Sequence, residues 1–266
     1  MLDLEYAQAT DCGRVRGHNE DYLGCALPEV PEREQTHGWL FALADGVGGQ
    51  EKGEVASRTA VETLLAEFRR AGRDQPLRSL LPRLVQTANE KVFEAGLAGK
   101  PRGAPMATTL VACALRFDRA VVSHVGDSRC YSIRGGRAKA LTRDHTVVSD
   151  PARLGLISGR ETAEAEMRHV LTRSLGNGMF VGADTSEHIV LGGDVLLLCS
   201  DGLHGALSTA EIAKIVSANA DLGAAARQLI EAANERDGGD NVSVQLIRVR
   251  SVERIGMYRG RPYKLA

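Results

Sequence analysis

Several marks that place a chain in a class are missing from these 266 residues. The five cysteines, at positions 12, 25, 113, 130 and 199, form no CxxC pair, and their odd number argues against a disulfide framework. No apolar run approaches the roughly 20 residues of a membrane span; the longest strongly apolar stretch is Val195–Cys199. The first nine residues carry two acids and no basic region, so no secretion signal is expected. Neither charge sign dominates, with 33 Lys and Arg against 34 Asp and Glu and a net charge of −1. That balance excludes an acidic solvating tail and a generally basic nucleic-acid binder. At 43% apolar and 25% charged the chain is not disordered. No Pro- or Ser-rich linker and no repeat divides it. One soluble, cytoplasmic, monomeric domain over residues 1–250 is expected, with a basic tail at 251–266.

Periodicity supplies the elements that are there. Trp39–Ala44 is a short apolar run ending in Asp45-Gly46, which predicts a buried strand and a turn. Glu54–Arg70 and Leu77–Val92 repeat apolar residues at helical spacing. From Thr108 to Leu141 the chain is cut into β-rich pieces, Thr109–Leu115, Ala120–Val125 and Arg129–Arg134, with Gly135-Gly136 as a hairpin turn. Asp144–Gly178 is polar and irregular and predicts a surface excursion. Strands are expected at Ile189–Leu191, Val195–Cys199 and Val242–Val249, and helices at Ala210–Ser217 and Leu222–Ala233. Helices arriving in pairs between runs of strands favour antiparallel sheets with helices outside over a βαβ parallel sheet.

Chemistry is suggested by where aspartates fall. Asp45, Asp127 and Asp201 end apolar runs, and Asp240 precedes Val242–Val244. The first three are followed by Gly, Ser and Gly, and the fourth follows Gly238-Gly239, small neighbours that allow tight turns and close approach. If the strands lie side by side, four carboxylates meet on one edge and repel unless a cation lies between them. Hard oxygen donors without a His or Cys cluster suit Mg²⁺ or Mn²⁺. Four unrelated turns leave the same local signature, and spacing alone does not choose between them.

Other phosphate chemistries lack their marks. There is no GxxxxGK[ST] and no GxSxG. The C-x5-R match from Cys113 to Arg119 contains no glycine and lies within strand periodicity, so Cys113 is expected to be a buried strand cysteine. His124 alternates within a strand and is expected to be a packed or hydrogen-bonded core histidine. Arg143 and Arg173 are expected to be solvated or structural.

Eight short segments, taken in order, resemble the PP2C (PPM) family of metal-dependent protein serine/threonine phosphatases in its compact bacterial form. They are Thr10-Asp11-Cys12-Gly13 with Arg16 and Asn19-Glu20-Asp21; Ala44-Asp45-Gly46-Val47-Gly48-Gly49 with Gly53-Glu54; Thr108-Thr109-Leu110; Val125-Gly126-Asp127-Ser128-Arg129; Leu141-Thr142-Arg143-Asp144-His145; Leu171-Thr172-Arg173-Ser174-Leu175-Gly176; Ser200-Asp201-Gly202-Leu203; and Gly239-Asp240-Asn241-Val242-Ser243. The resemblance implies an α+β, four-layer α/β/β/α sandwich of two antiparallel sheets flanked by pairs of helices. It implies two Mn²⁺ or Mg²⁺ ions and a weaker third. Asp45 would bridge both metals and the Gly46 carbonyl would help bind one; Asp201 and Asp240 would hold the other; Asp127 with Asp201 would bind the third. Glu20 would orient a metal-bound water and Arg16 would pair with the substrate phosphate. The variable flap beside the active site would fall at about 144–169.

The activity implied is hydrolysis of phosphoserine and phosphothreonine in proteins, with phosphoproteins and a cognate Ser/Thr kinase as partners and neither nucleic acid nor membrane. A phosphoprotein-binding regulator with weak or no turnover is the alternative. Val47 and Gln50 stand where members often carry a histidine proposed to protonate the leaving alkoxide, so no general acid is assigned.

Overall fold

The computed structural model describes residues 2–28, 38–47, 52–72, 75–98, 106–147 and 170–252, and the backbone of 255–258 and 261–264. Strands β1 (Leu2–Asp11), β2 (Asp21–Ala26) and β3 (Trp39–Asp45) lead into helices α1 (Gly53–Arg70) and α2 (Leu77–Leu97). Five strands follow: β4 (Leu110–Arg116), β5 (Arg119–Val125), β6 (Arg129–Arg134), β7 (Arg137–Ala140) and β8 (Asp184–Ile189). Next come β9 (Val195–Cys199), helices α3 (Asp201–Ala206), α4 (Thr209–Ala218) and α5 (Leu222–Arg236), and strand β10 (Val242–Val252). β11 (Ile255–Tyr258) and β12 (Arg261–Lys264) pair with each other as a separate ribbon within the basic tail.

One sheet has the order β1-β10-β9-β6-β7 and the other β2-β3-β4-β5-β8, with every named pairing antiparallel. The alternation of side chains along a strand explains the layering. On β4, Leu110, Ala112 and Ala114 pack against α1 and α2, in one cluster with Leu64, Leu81 and Val85. Val111, Cys113 and Leu115 face the other way, joining Phe41, Leu196, Leu198 and Ile247 between the sheets. On β9, Leu197 and Cys199 turn outward to a third cluster with Ile212, Leu229 and Ala233 of the second helical layer. Strands buried on both faces read as continuous apolar runs, which is why β3, β4 and β9 were visible in the sequence. The four-layer α+β sandwich is as expected, with the short α3 added to one helical layer.

Three expectations need correction. β1 and β2 were not predicted, because β1 alternates between partly buried and exposed residues and lies at a sheet edge. The strand expected at Ile189–Leu191 lies upstream, at Asp184–Ile189, a polar edge strand whose register on β5 pairs His124 with Asp184. Asp201-Gly202 is the first turn of α3 and not an isolated turn. Of the flap expected at about 144–169, residues 148–169 lie outside the described residues.

The antiparallel registers bring the polar strand ends to one end of the sandwich. Asp21 lies opposite Asp45 in β2–β3, and Leu110 opposite Val125 in β4–β5. The Gly126–Ser128 turn then crosses to the other sheet, where Arg129 lies opposite Cys199.

Packing of α4 on α5 is fixed at the α4 N-terminus. Ser208 and Glu211 form a reciprocal capping box, and Arg236 of α5 donates to both carboxylate oxygens of Glu211 at 2.7 and 3.1 Å. Arg236 first, then Ser208, holds the Glu211 carboxyl down at about 2. A depressed carboxyl stabilises the fold above its ordinary value of 4.5 and loses that contribution as pH falls toward about 2. Glu211→Gln is therefore expected to lower the urea midpoint at pH 7, and the gap from the parent should narrow steadily between pH 4.5 and 3.

Candidate metal centre

At that end of the sandwich a cavity of about 270 Å³ opens, lined by Arg16, Glu20, Asp45, Gly46, Val47, Thr109, Asp127, Leu171, Asp201 and Asp240. All seven residues singled out in the sequence, Arg16, Glu20, Asp45, Gly46, Asp127, Asp201 and Asp240, are brought to this one cavity. They arrive from both sheets: Asp45 ends β3, Asp127 is in the β5–β6 crossing, Asp201 follows β9 and Asp240 precedes β10. Of the positions discussed for a general acid, Val47 lines the cavity and Gln50 lies outside the described residues.

Hydrogen bonds fix the backbone beneath the carboxylates. Thr109 Oγ1 accepts the Asp45 N–H at 2.9 Å, while the Thr108 hydroxyl and the Thr109 N–H both donate to the Asp45 carbonyl at 2.8 Å. The Gly46 N–H donates to the Glu20 carbonyl at 3.1 Å, tying the two lining segments together. Asn241 organises the loop before β2: its Oδ1 accepts the Glu20 N–H at 2.8 Å, and its Nδ2 donates to the carbonyls of Cys12 and His18 at 3.0 and 3.1 Å. A Cβ at Gly202 would collide with the Asn241 carbonyl, so only glycine lets α3 start this close to Asp240. The Arg16 guanidinium donates to Asp240 Oδ2 at 2.9 Å, and that bond chiefly reinforces its positive charge.

Asp21 was quoted within a motif but given no role by the sequence. It is buried, it lies opposite Asp45, and its Oδ2 accepts from Ser200 Oγ of the other sheet at 2.8 Å. The missing signal was the cross-strand register. Burial pushes the Asp21 carboxyl up to about 7; the Ser243 and Ser200 hydroxyls pull it back, and Asp201 and Asp240 add repulsion. Asp45 lines the open cavity yet is packed closely on its other sides. Burial raises its carboxyl well above the usual range, and Asp21, Asp201, Asp127 and Asp240 raise it further. Five carboxylates and one guanidinium therefore share the cavity wall, and Asp45 is held in a field that disfavours its own charge.

This donor set, carboxylates with no thiolate or imidazole among the lining residues, fits hard divalent cations such as Mn²⁺ or Mg²⁺. Among the described residues two other groups have metal-ligating reach, His124–His145–Asp184 and His18–Glu20–Glu54. His18 Nε2 lies 3.4 Å from Glu20 Oε1 and its side chain is exposed.

Comparison with known proteins gives the family and the fold. Residues 17–236 match the family described as Protein phosphatase 2C. The serine/threonine phosphatase stp of Listeria innocua is 34% identical, over 95% of this chain and 96% of the relative. The PPM Ser-Thr phosphatase MsPP of Mycobacterium smegmatis, solved in complex with cacodylate, is 38% identical with a TM-score of 0.75, covering 92% of this chain and 98% of that one. The catalytic domain of the serine threonine protein phosphatase PstP, solved with 2 manganese ions, is 31% identical with a TM-score of 0.76, covering 93% and 99%.

Carboxyls raised by burial and repulsion oppose folding once they ionise. In chelator, the chain is expected to lose stability as pH rises from about 4, the ordinary Asp21 range, through about 7. Asp45→Asn should raise the midpoint of the metal-free chain at pH 8, by about 2–4 °C per kcal/mol of repulsion relieved. Thermal unfolding in EDTA checks both; an unchanged or lower midpoint for Asp45→Asn contradicts the repulsion.

Proposed function

The chain belongs to the protein phosphatase 2C family, and on that footing we propose that it hydrolyses phosphoserine and phosphothreonine in proteins with the aid of two divalent ions. The observation that carries this reading is the meeting of five carboxylates and Arg16 on one open cavity at the end of the sandwich. Mn²⁺ or Mg²⁺ is the class of ion the oxygen donors select, and a PstP domain with 2 manganese ions has the same fold.

Asp45, with the Gly46 carbonyl beside it, and Asp201 with Asp240 would hold the two ions, and Asp127 with Asp201 would hold a weaker third. When bound, the ions polarise phosphoryl oxygens and make water nucleophilic near neutral pH. The chain's own residues position everything else. Glu20, tied through its backbone to Gly46 and Asn241, orients the attacking water. Arg16 reaches the cavity from an exposed loop, and its planar fork suits two phosphoryl oxygens. Its bond to Asp240 keeps the guanidinium at the cavity rim until phosphate arrives. No side-chain nucleophile is required, and the carboxylates act as ligands and not as general bases. The substrates are phosphorylated proteins, and a protein Ser/Thr kinase is the enzyme whose product it would consume. No helix among the described residues is long and apolar enough to cross a membrane. A complete carboxylate set favours turnover over a purely binding role, since a phosphoprotein binder has no need of a second metal.

Hydrolysis of a phosphothreonine peptide is expected to require Mn²⁺ or Mg²⁺, to stop in EDTA, and to fall at least a hundredfold in Asp201→Asn. Tight metal binding without turnover would instead establish the regulator. Arg16→Ala should raise KM roughly tenfold or more, the worth of a charge-assisted bond to phosphate. Its Mn²⁺ stoichiometry by calorimetry should match the parent; loss of an ion would make Arg16 structural.

A further inference from the structure

The crossing that carries Asp127 is held by a buried imidazole for which no function has been given. Gly126 has φ +103°, and its N–H donates to Nδ1 of His145 at 3.2 Å while its carbonyl accepts the His145 N–H at 2.9 Å. Because a backbone N–H can only donate, Nδ1 carries the lone pair and the proton of the neutral ring sits on Nε2. Nε2 lies 3.2 Å from Asp184 Oδ2, the first residue of β8, and Asp184 Oδ1 accepts from Arg173 at 2.9 Å. The ring is buried and stacks on His124 with centroids 4.7 Å apart and planes at 16°. His124 Nε2 in turn lies 2.7 Å from the Arg143 carbonyl.

This tautomer decides what the group is. His124, His145 and Asp184 have the reach of a metal site. An ion there would take the Nε2 lone pair while Nδ1 accepts from Gly126, leaving His145 as an imidazolate beside the Arg173 guanidinium, 3.4 Å away. The cluster is therefore a hydrogen-bond chain, Gly126 to His145 to Asp184 to Arg173. Burial lowers the His145 imidazole and keeps it neutral. Burial works against the Asp184 carboxylate, but the bonds from His145 and Arg173 hold it below the ordinary value.

His145 lies between two segments that carry cavity-lining residues, Asp127 on one and Leu171 on the other. On one side the imidazole holds the Gly126 N–H, one residue before Asp127, whose own carbonyl is held by His204 Nε2 at 3.0 Å. On the other, the backbone around the same residue joins two described segments: the Thr172 N–H donates to the His145 carbonyl at 2.8 Å, the Val147 N–H to the Val170 carbonyl at 3.0 Å, and Thr146 bridges Leu171, which lines the cavity. We infer that His145 is a positioning residue, oriented by Asp184, that sets Asp127 for the weakest of the bound ions and ties it to the paired segments 145–147 and 170–172. The inference rests on Asp127 being a metal ligand, as proposed above.

Mn²⁺ titration of the full chain, followed by the electron paramagnetic resonance of free Mn²⁺, tests it with Asp127→Asn, His145→Leu, Asp184→Ala and the His145→Leu/Asp184→Ala pair. The expected result is an unchanged tight class of ions and a weak class whose half-filling concentration rises about tenfold in His145→Leu, as for outer-sphere partners of metal ligands. Asp184 is 53% exposed, so Asp184→Ala folds, and it should shift the same class at least threefold. The pair should match His145→Leu, because Asp184 acts through the imidazole. Excess Mn²⁺ should restore kcat on a phosphothreonine peptide, which a general loosening of the fold would not allow. An unmoved weak class in Asp184→Ala, or equal weakening of all classes, overturns the inference whether or not His145→Leu folds. If Asp127→Asn itself moves no class, the metal role of Asp127 fails first, and the two failures are told apart.

Discussion

Carboxylates do not gather in a protein without a reason, and here the constraint that organises the rest is their mutual repulsion. Asp21 and Asp45 face each other across β2–β3, while Asp201, Asp127 and Asp240 raise the Asp45 carboxyl further. A fold that only had to be stable would disperse these charges. Two sheets and three apolar clusters hold them together, with the inter-sheet cluster between Phe41, Val111, Leu196 and Ile247 keeping both strand sets in fixed register. Metal binding at this site, as proposed, would contribute folding free energy as well as chemistry, because the bound state is the one in which the repulsion is offset.

The rim combines a rigid part and an exposed part. The rigid part is Asp45, clamped by Thr108 and Thr109, and the Asn241 hub that fixes the Cys12–Glu20 loop. The exposed part is Arg16, whose side chain is half-exposed in the middle of that loop, across from the paired segments 145–147 and 170–172 that meet beside Leu171.

Much of this was legible from residues. Strands buried on both faces, such as Val195–Cys199, show as apolar runs, and the four strand-end aspartates could be singled out because small residues flank each. The edge strands were not legible: β1 and β8 carry polar residues on solvent faces, so Ile189–Leu191 looked more strand-like than Asp184–Ile189. Asp21 and His145 stood in quoted motifs without a role, since each depends on a partner far along the chain, Ser200 for one and Gly126 with Asp184 for the other. Local pattern reveals which residues end a strand; it does not reveal which strand ends meet.

The central claim, that these carboxylates are forced together and released from that conflict by divalent ions, is tested most directly by proton release. Calorimetric Mn²⁺ binding in buffers of different ionisation enthalpy counts the protons expelled from the metal-free chain. With Asp21 near 7 and Asp45 well above the usual range, about one proton or more should leave at pH 6, and fewer as pH rises through 8. Mn²⁺ binding at pH 6 with no proton release would show that the carboxylates are ionised before the metal arrives and would contradict the account.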